Sequence, residues 1–147
     1  MNDKLQDLLT GAAAPGIYRL TSRRTPANIA AQAEVRGWRV FHLDGAHVAS
    51  KNEFLAACAQ AMGFPAHFGH NWDALVDSLR DLSWAPAGRG YLVLYDNAGR
   101  FAAAQPQEFA TAVDILRSSV TSWQEKASPM VVLLRGAGRA AGDIPKL

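Results

Sequence analysis

The sequence predicts an α/β fold, with a small parallel sheet of three to four strands flanked by helices. Residues 91–95 and 130–134 are continuously apolar, which is typical of strands covered on both faces, as in a parallel sheet. Segments with helical periodicity separate these runs from each other and from two earlier strand candidates. This alternation of strand and helix indicates β-α-β units with right-handed crossovers between parallel strands.

Local signals place the remaining elements in order along the chain. Helices are predicted at residues 2–10, 26–35, 50–63, after Asn71, and at 106–123, and strands at 17–20, 38–43, 91–95 and 130–134. Thr25-Pro26 is a helix start with proline in its first turn, and Ser50 with Glu53 forms a capping box. The polar tail from Gly136 is expected to fray.

Length and charge restrict the possible functions. A chain of 147 residues is expected to form one domain, and its net charge of +2 is too small to favour nucleic acid as a partner. The charge is unevenly distributed, however, because residues 1–40 are rich in arginine, whereas residues 64–84 hold three aspartates and one arginine. Such asymmetry bears on how a charged partner is steered to the surface.

The sequence also predicts a soluble, cytoplasmic protein. Cys58 is the only cysteine, so no internal disulfide is possible and a buried, reduced thiol is expected. The first residues show no basic segment followed by an apolar one, and no run approaches the roughly 18 apolar residues of a membrane span.

No cofactor is predicted. The G-x-G-x-x-A pattern at residues 136–141 matches a dinucleotide-binding motif in its letters, but it opens no β-α-β unit, which such a motif requires.

The most informative stretch is residues 64–82, F-P-A-H-F-G-H-N-W-D-A-L-V-D-S-L-R-D-L. Its first part has the proline and glycine of a turn, and Asn71 is a good N-cap for the helix that follows. Asp73, Asp77 and Asp81 recur every four residues and therefore lie on one exposed stripe of that helix. Like charges at this spacing repel by about 0.2–0.5 kcal/mol per pair, and Arg80 is expected to offset part of this by pairing with Asp77. The stripe suggests a surface for a basic partner.

The same residues carry a family resemblance. The run F-P-x-x-F-G-x-N-x-D-A-L-x-D at residues 64–77 resembles the signature of barstar-type ribonuclease inhibitors. The predicted elements at residues 38–135 also come in the order that this family uses. Residues 1–37 have no counterpart in the minimal family domain. We expect them to pack on the family core as one more β-α unit, so that residues 1–147 form a single domain.

The resemblance implies a protein that binds a barnase-like ribonuclease one to one and is not an enzyme. In that family, the loop and helix corresponding to residues 67–77 plug the nuclease active site, and carboxylates occupy the place of RNA phosphates. The implied partner-binding residues are His67, Phe68, Gly69, Asn71, Trp72, Asp73, Val76, Asp77 and Arg80. The chain departs from the family where His67 and Val76 stand at aromatic positions and Ser118 stands near the place of a further acid.

Two alternatives stay open at the level of sequence. One is a small RNA- or nucleotide-binding module that uses the arginine-rich N-terminal third, with Arg19, Arg23 and Arg24. The other is a hydrolase that uses the His-x-x-His-x-x-Asp set at residues 67–73. A metal site there is not expected, because His67 precedes the helix and the three side chains would not share one continuous face.

Overall fold

The structure, a computed structural model, describes residues 3–147; the predicted helix start at residue 2 lies outside them. The helices are α1 (Lys4–Thr10), α2 (Pro26–Glu34), α3 (Lys51–Met62), α4 (Trp72–Asp81), α5 (Gly99–Ala104) and α6 (Pro106–Gln124). The strands are β1 (Ile17–Arg19), β2 (Trp38–Asp44), β3 (Gly90–Asp96) and β4 (Met130–Leu134). A 3-10 helix, Gly138–Ala141, follows β4.

The four strands form one parallel sheet in the order β1-β4-β3-β2. Every residue of β3 and β4 is buried, because helices cover both faces of these two central strands. This double cover explains why both strands are uniformly apolar in sequence. The predicted α/β class with a small parallel sheet is therefore confirmed.

The two faces of the sheet have separate cores. Helices α3 to α6 pack on one face, where Phe54, Leu79 and Leu116 are fully buried. Helices α1 and α2 cover the other face, where Leu8 and Ile29 lie in one cluster with the inward side chains of β3 and β4. The helices that cover the second core thus both precede β2 in the chain.

Strand β1 lies at the far edge of the sheet from β2. It pairs with β4, with Ile17 opposite Val132 and Arg19 opposite Leu134. The connection through α2 consequently crosses the whole width of the sheet instead of joining neighbouring strands. The indole Nε1 of Trp38, at the start of β2, donates a hydrogen bond to the Leu9 carbonyl at 2.9 Å and so ties β2 to α1.

Two features differ from the sequence prediction. Helix α5 was not predicted, because its six residues are too few to show a helical period. The expectation that the tail frays is wrong: Ile144 is only 2% exposed, and the Leu147 amide donates to the Arg19 carbonyl at 2.9 Å. Burial of one apolar side chain and a short bridge to β1 hold the tail in place.

Within residues 3–147, no helix is long and apolar enough to span a membrane.

Candidate functional site

The loop before α4 is held by aromatic packing. Phe68 is 8% exposed, and its ring centroid lies 4.9 Å from that of Phe64 and 4.8 Å from that of His70. His70 has a positive φ of 51° and its Nδ1 lies 3.0 Å from the Phe68 carbonyl oxygen. A positive φ is uncommon outside glycine, so the turn at His70 is kept by its surroundings. Phe68 anchors the loop from within, and its implied contact with a partner stays a prediction.

Asn71 joins this loop to the helix. Its Oδ1 accepts a hydrogen bond from the Ala74 amide at 2.7 Å, which caps α4 as predicted, and its Nδ2 donates to the Gly69 carbonyl at 3.2 Å. A Cβ at position 69 would lie 3.1 Å from that Nδ2, closer than ordinary van der Waals contact. The glycine therefore leaves room for the capping amide.

Trp72 connects α4 to its neighbours. Its Nε1 donates to Glu108 Oε2 at 3.1 Å, and its ring centroid lies 6.1 Å from that of Phe54. The Lys51 ammonium stands 5.3 Å from the Trp72 ring centroid, a cation–π distance. Trp72 and Val76 are both half-buried, so each has a packed part and an accessible part.

The acidic stripe of α4 is exposed and has no cationic partner among the residues that the structure describes. Asp73, Asp77 and Asp81 are exposed, and no Lys, Arg or His nitrogen of residues 3–147 lies within 4.0 Å of their carboxylates. The expected Arg80–Asp77 pair is wrong. Arg80 Nη2 donates instead to Ser118 Oγ on α6 at 3.0 Å, because α4 and α6 pack side by side. The helix thus presents its carboxylates without internal neutralisation.

A groove of about 400 Å³ separates the loop from α4. His67 lines one wall, Asp77 and Asp81 line the other, and Phe68 and Trp84 contribute apolar surface. The structure thereby brings His67 together with Asp77, whereas Asp73 lies outside this groove. Asp81 is a residue that the sequence interpretation left out of the site. Its position one turn after Asp77, on the same stripe, was the signal for it.

The structure gives less support to the hydrolase and to the RNA- or nucleotide-binding module that the sequence left open. Among residues 3–147, no group of three or more His, Cys, Asp or Glu side chains is arranged to hold a metal ion, and the set at residues 67–73 is not brought together. Two of the N-terminal arginines have internal partners. Arg19 Nε donates to the Ile144 carbonyl at 2.9 Å, and Arg24 pairs with Asp3 at 2.7 Å.

Comparison with protein families agrees with the motif and its geometry. The family described as barstar (barnase inhibitor) matches residues 38–135, which is more than half of the chain. This protein belongs to the barstar family. The matched range begins with β2 and ends just after β4, so it contains the aromatic loop, its asparagine cap and the acidic stripe of α4. The elements α1, β1 and α2, which precede residue 38, lie outside the matched barstar range.

Solved structures with a similar fold come from a different kind of protein. The Aeropyrum pernix ORC2 protein in its ADPNP-ADP complexes has a TM-score of 0.58 and 15% identity, covering 93% of this barstar-family chain and 39% of that chain. The ADP form of the same protein has a TM-score of 0.57 and 15% identity, covering 92% of this chain and 39% of that one. At this identity the likeness concerns the fold alone, and this chain spans only about two fifths of the other's length. No match was found among curated proteins.

Proposed function

We propose that this barstar-family protein inhibits a barnase-type ribonuclease by binding it one to one and blocking its active site. The binding surface is the loop at residues 67–71 with the exposed stripe of α4. Inhibition needs no bond making or breaking, because the inhibitor acts by occupying the cleft where RNA binds. A cytoplasmic location is part of this proposal.

The observation that carries the proposal is the pair of exposed carboxylates of Asp73 and Asp77 on α4. Residues 3–147 supply no cationic partner within 4.0 Å of either, and both lie in the range that the family matches. A nuclease cleft that binds RNA phosphates must be cationic, so carboxylates held on a rigid helix are complementary to it. The asparagine cap and the buried Phe68 fix the loop before binding, which lowers the ordering cost of association.

The departures from the family pattern bear on the choice of target. Ser118 supplies no charge and accepts a hydrogen bond from Arg80 at 3.0 Å, so an exposed guanidinium lies near the place of the family's further acid. Asp81, in contrast, adds a carboxylate to the groove beside Asp77. The proposal therefore favours a barnase-type nuclease whose cleft rim differs from that of the family's usual target, with a basic side chain able to enter the groove next to His67.

The first test is inhibition itself. A barnase-type ribonuclease captured from the producing cells is titrated with the pure protein while RNA cleavage is followed. We expect activity to reach zero at an equimolar ratio. Cleavage that persists at a severalfold excess over every captured nuclease would contradict the proposal, and so would retention of RNA by the protein in place of a nuclease.

Association is expected to depend on salt. Steering between a cationic cleft and the α4 carboxylates should raise the association rate at low ionic strength and leave the dissociation rate less affected. Surface plasmon resonance at several salt concentrations measures both rates. An association rate that stays constant would indicate an apolar interface around Trp72 and Val76 instead.

A further inference from the structure

A large cleft lies away from α4, at the carboxyl edge of the sheet. Its volume is about 800 Å³. The cleft is walled by the β1–α2 connection, residues 20–26, by the ends of β2 and β3, and by Arg135 and Gly136 after β4. All four strands are parallel, so their carboxyl ends open at this one edge. The family match and the proposed inhibitory surface leave this cleft without a role.

The cleft also lies at a switch point of the sheet topology. From the end of β1 the chain turns to α2 on one face, whereas from the end of neighbouring β4 it turns to the opposite face, where Ala141 and Ile144 join the core of α3 to α6. Two adjacent strands whose connections leave in opposite directions create a crevice between them. In open α/β sheets, such crevices outside the carboxyl ends of the strands are where ligands bind.

One wall of the cleft is fixed by Arg135. Its Nη1 donates to the carbonyls of Ser22 at 3.0 Å and Arg24 at 2.7 Å, while its Nε and Nη2 bond to the Asp96 carboxylate. Asp96 is only 6% exposed, and His42 Nε2 lies 3.3 Å from its Oδ2. The β1–α2 connection is thereby fastened to the ends of β3 and β4. Such a wall loses little further freedom when a ligand binds.

The charges that remain available in the cleft have opposite signs. The guanidinium charges of Arg24 and Arg135 are matched by Asp3 and Asp96, whereas no carboxylate of residues 3–147 lies within 4.0 Å of exposed Arg23.

On the other side, the Oδ1 of Asp44 accepts hydrogen bonds from Asn97 Nδ2 at 2.9 Å and from the Ala46 amide at 3.0 Å. These bonds, that of Asn97 first, lower the pKa of Asp44, so its carboxylate is ionised at neutral pH. Its second oxygen is left to accept a further hydrogen bond. Thr25 and Pro26 at the start of α2 also line the cleft; Pro26 has no N–H, and the Thr25 hydroxyl already accepts a hydrogen bond from the Asn28 amide at 3.1 Å.

We propose that this cleft binds a small molecule that carries both a phosphate and free hydroxyl groups. The phosphate pairs with Arg23, since a guanidinium favours that group. The hydroxyls donate to the free carboxylate oxygen of Asp44. The site is separate from the inhibitory surface and does not depend on the proposed function.

The test is isothermal titration calorimetry of the full chain with ribose 5-phosphate, inorganic phosphate and ribose. Ribose 5-phosphate is expected to bind more tightly than inorganic phosphate, and ribose alone not to bind. Arg23→Gln should weaken binding of both phosphate compounds by about tenfold or more, because it removes a charge-assisted contact. Asp44→Asn should reduce only the advantage of ribose 5-phosphate over inorganic phosphate.

Arg39→Gln is the matched control, since Arg39 is an exposed arginine on β2 that does not line the cleft. It should leave all three titrations unchanged. The proposal is overturned if ribose 5-phosphate does not bind, or if Arg39→Gln weakens it as much as Arg23→Gln does. Unchanged melting temperatures of the variants, and unchanged nuclease inhibition where it is found, show that the fold is intact.

Discussion

At the scale of single residues, Asp77 should affect folding and inhibition in opposite directions. Asp73 and Asp81 each lie four residues from it, and no cation of residues 3–147 pairs with these carboxylates to offset the repulsion. Asp77→Ala should therefore be neutral or stabilising by a few tenths of a kcal/mol in the free energy of unfolding. The same change should weaken nuclease binding by at least about 1.4 kcal/mol, or tenfold in Kd, because a cation of the partner would be left without its counter-charge. Urea unfolding and inhibition titrations measure the two effects.

The control for Asp77→Ala must lie off the groove. Asp81 is unsuitable although it is farther from the loop, because it lines the same groove as Asp77. Glu34, exposed at the end of α2, loses one negative charge in Glu34→Ala and should leave binding unchanged. Unfolding of Asp77→Ala, or full inhibition by it, would disprove the assignment of α4 as the inhibitory surface.

At the scale of elements, the cap of α4 couples helix stability to loop position. Asn71→Ala removes both the acceptor for the Ala74 amide and the donor to the Gly69 carbonyl. It should lower the free energy of unfolding by about 0.5–2 kcal/mol and also weaken inhibition. Asn71→Asp keeps the acceptor but not the donor, so stability should be largely retained while inhibition stays impaired. Equal inhibition by Asn71→Asp and the parent protein would show that the loop tie has no part in binding.

At the scale of the whole molecule, we predict that residues 1–37 are part of one cooperative domain. Leu8 is 2% exposed in the core that covers the second face of β3 and β4, whereas Gln6 on the same helix is exposed. Leu8→Ala should cost about 2–5 kcal/mol of unfolding free energy, and Gln6→Ala less than about 0.5 kcal/mol. Deletion of residues 1–36 should remove β1 and the two helices, α1 and α2, that cover that core. A melting curve unchanged by Leu8→Ala would mean that the N-terminal segment is only a tail.

The sequence by itself determined the α/β class, the order of the main elements and the asparagine cap of α4. These depend on contacts within a few residues, such as the bond from the Ala74 amide to Asn71, or on uniform burial, as in β3 and β4. The motif at residues 64–77 also gave the family, which the match over residues 38–135 confirms.

The tertiary structure alone decided the strand order, the site partners and the large cleft. Ile17 pairs with Val132, and Arg135 bonds to Ser22, across more than one hundred residues of chain. Arg80 bonds to Ser118 on the neighbouring helix α6 and does not pair with Asp77 on its own helix, α4. Local pattern carries no information on such pairings, because they follow from how whole helices and strands pack together. Packing therefore decides which charges of this protein stay free to bind a partner.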